Sequence, residues 1–160
     1  MKQTLPKIIG VTGGIGSGKS VVMSFLESKG IPIYISDFHA KEISNSELVI
    51  NKMKLIWGDS IITYNVFDRK KLGSIVFNDK NELEKLNNLI HPLVKTHWEN
   101  WLKSNQSHKW VAKESAILLQ VGGKKYCDFI ICVTAKNDVR VNRIMKRDGL
   151  SQVEAQQRID

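Results

Sequence analysis

Short, solid apolar runs mark the two ends of this chain, and between them lies a long stretch whose apolar residues recur at helical spacing. Ile8-Ile9-Gly10-Val11-Thr12 predicts a first strand, and Val21 to Lys29 predicts a helix closed by Gly30. Ile31-Pro32-Ile33-Tyr34-Ile35 predicts a second buried strand, bounded by Gly30 before it and Ser36-Asp37 after it. Strand, turn, helix and strand make a βαβ unit, for which a right-handed crossover is expected. From Phe38 to about Ser107 no strand is convincing. One helix is expected from near Asp37 through Ile43, and another over Glu47 to Trp57, ending at Gly58. Ser60 to Val66 reads as a short turn or loop. Asp68 suits the cap of a helix over Arg69 to Phe77. Leu83, Leu86, Leu89 and Ile90 then form the stripe of a helix from Lys80 to Ile90. Pro92 is disfavoured inside a helix and welcome in a first turn, so a new helix is expected to begin there. Its face carries Val94, Trp98, Trp101 and Leu102, a pattern of core packing rather than of a binding platform.

Sheet character resumes at Lys109 to Glu114, the third strand. Ala116 to Val121 reads either as a buried helix or as a further extended piece. Lys124 to Cys127 leads as a loop into a fourth strand, Asp128 to Val133. Ala135 to Arg147 reads as a helix with Arg140, Arg143 and Arg147 on one face. Ser151-Gln152-Val153-Glu154 fits a capping box opening a last helix, within which the sequence stops at Asp160. The expected organisation is one α/β domain over 1–160, with a core of about 7–37 and 108–148 and a helical insertion of about 38–107.

Composition narrows the class. The 160 residues, 42% hydrophobic and 25% charged, suit one soluble globular domain. No apolar run approaches the roughly 20 residues of a membrane helix, and the N-terminus lacks a secretory leader, so a cytoplasmic protein without a membrane partner is expected. Cys127 and Cys132, five apart along a strand and its lead-in, are expected on opposite faces as core residues. The four histidines lack zinc-ligand spacing. A net charge of +8 suits polyanions, yet no nucleic-acid motif accompanies it, so small phosphorylated ligands are favoured over nucleic acid. Oligomeric state is not legible.

Chemistry concentrates in Gly13-Gly14-Ile15-Gly16-Ser17-Gly18-Lys19-Ser20, which fits G-x-x-x-x-G-K-[ST] between a strand and a helix. Glycines let consecutive N–H groups turn inward around phosphate oxygens, and the helix N-terminus adds positive potential there. Lys19 would reach the β- and γ-phosphates, and the Ser20 hydroxyl would hold Mg²⁺, with Val21 next to it. A nucleoside triphosphate is expected to bind here. GTPase signatures are missing, and Glu114 is a weak counterpart of the strand-end acid of motor ATPases. A small-molecule kinase fits better, with Asp37 at the end of the neighbouring strand placed to accept a hydroxyl proton. The same position suits a helix N-cap, and the residues alone leave both roles open. Likewise the three arginines suit either a transferring phosphoryl group or a solvated helix face, with Arg147 favoured over Arg143 for its place beside the following loop.

These segments resemble the dephospho-CoA kinase family. The match runs through Gly10 to Ser20, Pro32 to Asp37 ahead of Ala40, Ile90 to Val94, and Arg147 to Ser151 followed by Glu154-Ala155 and Arg158-Ile159. The resemblance implies transfer of the ATP γ-phosphoryl group to the ribose 3′-hydroxyl of dephospho-CoA. It also implies a three-layer P-loop kinase fold with a parallel core sheet, a helical CoA-binding insertion over about 38–107, and a lid beginning at about 147–160. On that mapping Asp37 is the base, His91 belongs to the acceptor region, and Arg140 and Arg147 serve phosphates near the lid. Departures are Ile35 and Ser36 where the family often has Asp-Ala, Val21 for a frequent threonine, and Gln120 for a frequent acid whose duty Glu114 would share. The family's last core strand is expected to be missing from this sequence. Alternative readings are a P-loop kinase for another small hydroxyl acceptor, such as a nucleoside or nucleotide, and a nucleotide-binding module without catalysis.

Overall fold

The structure is a computed structural model that describes residues 5–64 and 66–160. It divides into two compact units, Met1–Ser36 with Trp101–Asp160, and Asp37–Asn100.

The first unit is built on β1 (Lys7–Thr12), followed by α1 (Lys19–Ser28) and β2 (Ile33–Ile35). Gly30, at φ 75°, turns the chain after α1, and the Ile31 N–H closes on the Leu26 carbonyl. The second strand is therefore shorter than its apolar run, because Ile31 belongs to that turn. The second unit holds α2 (Ser36–Ser44) from Asp37 onward, α3 (Glu47–Trp57), β3 (Ile62–Thr63), β4 (Val66–Phe67), α4 (Arg69–Asn78) and most of α5 (Lys80–Ser104). The chain returns to the first unit for β5 (Trp110–Glu114), β6 (Phe129–Cys132), α6 (Asn137–Asp148) and α7 (Gln152–Gln157). Its sheet runs β2-β5-β1-β6, and every pairing is parallel.

Val11, Ala112, Met23 and Leu26 form the buried core between sheet and α1, with Ile9, Ile33, Ile35 and Val133 packed against it. A separate cluster of Val141, Ile144 and Ala155 joins α6 to α7 and takes in Ile15. Both ends of the Ser151–Glu154 capping box are made. In the second unit Val49, Met53, Ile61, Leu72, Val76 and Ile90 form a core of their own. Asp68 caps α4 as expected, accepting from the N–H groups of Lys70 and Lys71 at 2.9 and 3.2 Å.

Four expectations change. Pro92 does not start a helix; α5 continues through it for 25 residues. Leu86, Leu89, Ile90, Leu93 and Val94 all pack against one core, so a single apolar register spans the proline and outweighs its missing N–H. The stretch around Ser60 to Val66 holds a two-stranded antiparallel ladder, Ile62 opposite Phe67 and Thr63 opposite Val66. Strands this short have no period to read; Lys71 donating to the Ile62 carbonyl and Thr63 to Asp68, both at 2.7 Å, hold them. Ala116 to Val121 is neither helix nor strand but a run of turns that buries Leu118 and exposes Ile117, Leu119 and Val121. Finally, Cys127 is half-buried and Cys132, on β6, is exposed, so neither is buried among the described residues. The tryptophan reading holds: Trp98 and Leu102 are buried, and Trp101 packs edge-on against buried Tyr34 at 5.3 Å.

Candidate functional site

At the carboxyl end of β1 the chain leaves the sheet buried as far as Thr12 and turns sharply. Gly13 stands at φ 145°, and a Cβ there would lie 2.2 Å from the Val133 carbonyl oxygen. Gly16 stands at φ 74°, with room for a Cβ closed by the Arg140 carbonyl at 2.9 Å. A side chain is excluded at both positions by conformation and by contact. Within the loop the Ser17 N–H closes on the Gly14 carbonyl at 3.2 Å, and Gly18 is the N-cap of α1. Ser17 is buried, and its Oγ has no hydrogen-bond partner among the described residues. A buried polar atom without a partner is costly unless a ligand group meets it.

Lys19 opens α1, and its amine turns back over the loop. Nζ donates to the Gly13 carbonyl at 2.9 Å and the Gly14 carbonyl at 3.3 Å, and lies 3.7 Å from Glu114 Oε1. Both side chains are largely buried, 15% and 10% exposed, so little water competes for this cation. Glu114 ends β5 in register with Val11 of β1 and Ile35 of β2. The cradle thus supplies an α-helix N-terminus, a sequestered ammonium and turned-in backbone, the chemistry that suits a nucleotide's phosphates. Ser20 and Val21 are exposed on the first turn of α1. Among the described residues no group of three or more His, Cys, Asp or Glu could hold a metal ion. Magnesium in nucleotide sites takes one or two protein oxygens and completes its shell from phosphates and water, so a lone Ser20 hydroxyl fits that donor set.

From the other side of the loop α6 brings two arginines. Arg140 Nε donates to the Ile15 carbonyl at 2.9 Å, and Arg143 Nη1 donates to the carbonyls of Gly16 at 3.1 Å and Ser17 at 2.9 Å. Arg147 turns elsewhere. Its guanidinium pairs with Asp148 through Nε and Nη2 at 2.7 and 2.8 Å, and that bond raises the arginine's pKa further while holding Asp148 below the usual carboxylate range. Arg158 joins the same carboxylate. Arg140 and Arg143, rather than Arg147, bond the phosphate loop. The three-residue spacing of Arg140 and Arg143 carried the signal, but spacing alone does not say which face of α6 the loop occupies. Ile15 was also read only as a loop member, and its side chain anchors the loop in the α6–α7 cluster.

In the second unit Asp37 is exposed in the first turn of α2, one residue inside the helix rather than at its N-cap. A carboxylate there is favoured by the helix dipole. Ser36, which opens α2 in the first unit, has a buried hydroxyl without a partner among the described residues. His91 is exposed midway along the continuous α5, so it bridges no junction between two helices. Gln120 is exposed in the turns after β5.

With the cradle in place, the comparison with known proteins decides the family. The dephospho-CoA kinase family model matches residues 7–160. The chain belongs to the dephospho-CoA kinase family. The dephospho-CoA kinase of Fusobacterium nucleatum is 41% identical over 145 residues, covering 90% of this chain and 75% of the relative. The crystal structure of TT1252 from Thermus thermophilus superposes with a TM-score of 0.86 at 32% identity, covering 97% of this chain and 79% of that one. A dephospho-CoA kinase from Campylobacter jejuni shares the fold, with a TM-score of 0.63 at 24% identity over 98% of this chain and 80% of its own. The parallel-sheet P-loop kinase architecture is shared with both solved structures.

Proposed function

We propose that this kinase transfers the γ-phosphoryl group of ATP to the ribose 3′-hydroxyl of dephospho-CoA, the last step of coenzyme A synthesis. The observation that carries the reading is the phosphate cradle around Lys19, set in a chain that matches the family from residue 7 to residue 160. Loop N–H groups and the N-terminus of α1 hold the β- and γ-phosphates. Lys19 exchanges the carbonyls of Gly13 and Gly14 for phosphate oxygens, a better partner for an ammonium because the hydrogen bond is then charged at both ends. Ser20 would hold Mg²⁺, which would supply neutralisation of the phosphate charge. Asp37 accepts the proton as the 3′-oxygen bonds to the γ-phosphorus, and the bond from that phosphorus to the β–γ bridging oxygen breaks to release ADP. His91 binds the acceptor, and Arg147 contacts phosphates from the lid segment. The reaction takes place in the cytoplasm, where both substrates are small phosphorylated molecules.

A coupled ATP assay over a panel of hydroxyl acceptors tests this. Turnover strongly preferring dephospho-CoA is expected. Equal turnover on a nucleoside or nucleotide would reassign the acceptor, and tight ATP binding without transfer to any acceptor would point to a module that has lost catalysis.

A further inference from the structure

The phosphate loop is held from behind as well as from within. Three consecutive carbonyls, those of Ile15, Gly16 and Ser17, are each bonded by a guanidinium of α6. In a planar trans peptide the C=O and the following N–H point in opposite directions. Drawing these carbonyls toward α6 therefore drives the N–H groups of Gly16, Ser17 and Gly18 away from it. The Ser17 N–H is seen closing the loop on the Gly14 carbonyl. For Gly16 and Gly18 the same geometry leaves the N–H turned from α6. The guanidinium of Arg140 also lies close against Gly14, for a Cβ there would stand 2.6 Å from its Nη2. Ile15, packed with Val141, Ile144 and Ala155, fixes the same segment by its side chain.

We infer that Arg140 and Arg143 are positioning residues of the phosphate loop: bonded to its outward carbonyls, they set the inward N–H groups before nucleotide arrives. This goes beyond the reaction proposed above and rests on that reading only in taking the loop as the ATP site. The arginines act through backbone geometry, so their work is done in the nucleotide-free protein. Two consequences separate this role from charge delivered to the transferring phosphoryl group. Loss of a clamp appears in loop order without any ligand, and it appears in ATP affinity more than in the rate at saturation, since bound phosphates can re-form the cradle. Lysine is a poor substitute at Arg140, because its side chain carries a methylene where the Nε–H of Arg140 donates to the Ile15 carbonyl.

Amide hydrogen exchange of residues 14–18 in the nucleotide-free protein, ATP titration and steady-state kinetics are compared for the native chain, Arg140→Met, Arg140→Lys and Arg143→Met. The methionine variants are expected to exchange these amides about tenfold faster and to raise the ATP dissociation constant and KM about tenfold, with kcat falling far less. Arg140→Lys, which keeps stem and charge and so remains foldable, is expected to show the same split. A kcat loss of about 10²-fold or more with loop exchange unchanged would overturn the inference in favour of direct charge stabilisation. Unchanged exchange with unchanged KM would overturn it as well. Failure of the native chain to bind ATP would instead sink the functional reading, so the two failures are distinguishable.

Discussion

Asp37 carries the proton in the proposed reaction, and it is a single carboxylate without a neighbouring acid in sequence, since Ile35 and Ser36 precede it. Asp37→Asn keeps size and hydrogen bonding but removes the base. Turnover is expected to fall about 10²–10⁴-fold while calorimetric ATP binding persists; near-native turnover would take Asp37 out of the role. A second residue-scale consequence lies in the sheet. Lys113 of β5 is half-buried, 5.0 Å from the Tyr126 ring and 5.9 Å from the Tyr34 ring. Burial lowers its pKa to about 8, against a smaller opposing effect of Cys127. The folded pKa lies below the unfolded one, so between about pH 8 and about 10.4 the unfolded chain holds the extra proton. Stability from this group therefore rises with pH across that window and is fully lost below it. Denaturant midpoints for the native chain and Lys113→Met, taken on both sides of the window, should shift in favour of the native chain as pH rises. A pH-independent difference would mean that burial does not perturb this lysine.

At the scale of elements, α5 shows how a strong local signal yields to packing. The ring of Pro92 removes one helical hydrogen bond, and the helix persists because residues on both sides of it share a core. Pro92 is exposed, so Pro92→Ala restores a donor without disturbing a contact, and a gain of about 1–3 kcal/mol in unfolding free energy is expected from equilibrium denaturation. No gain would mean that α5 had already relaxed around the proline. The opening of α7 runs the other way, since there local sequence decides. Ser151 accepts from the Glu154 N–H while the Glu154 carboxylate accepts from the Ser151 N–H. Ser151→Ala is expected to cost about 1 kcal/mol and to fray α7, visible as faster exchange over 152–157.

Among the described residues the apolar clusters share no residue: one lies under the parallel sheet, a second among α2 to α5, and another joins α6 to α7. Met53 is fully buried in the second. Met53→Ala should cost about 2–5 kcal/mol, with accelerated exchange concentrated in 37–100 under mild denaturant. Uniform acceleration through both units would show a single cooperative fold. The phosphate loop, β1, α1 and the parallel sheet were all legible beforehand, because each is written in local terms: glycines at fixed spacing, an apolar run, a helix stop at Gly30. The Asp68 cap and the Ser151 capping box were legible for the same reason, as they need only neighbours in sequence. What lay beyond reach depended on contacts between distant residues. The ladder of Ile62 and Phe67 is too short to show a period, and Ala116 to Val121 follows the buried anchor of Leu118. The arginines of α6 make the contrast sharpest. Their spacing was plain, but the choice of Arg140 and Arg143 over Arg147 for the loop came from where α6 docks, with Ile15 buried beside it and Asp148 drawing Arg147 away. Sequence alone determined that a glycine loop ending in Lys19 would join β1 to α1; the tertiary structure decided which side chains hold that loop, since carbonyl direction is a property of packing rather than of residue type.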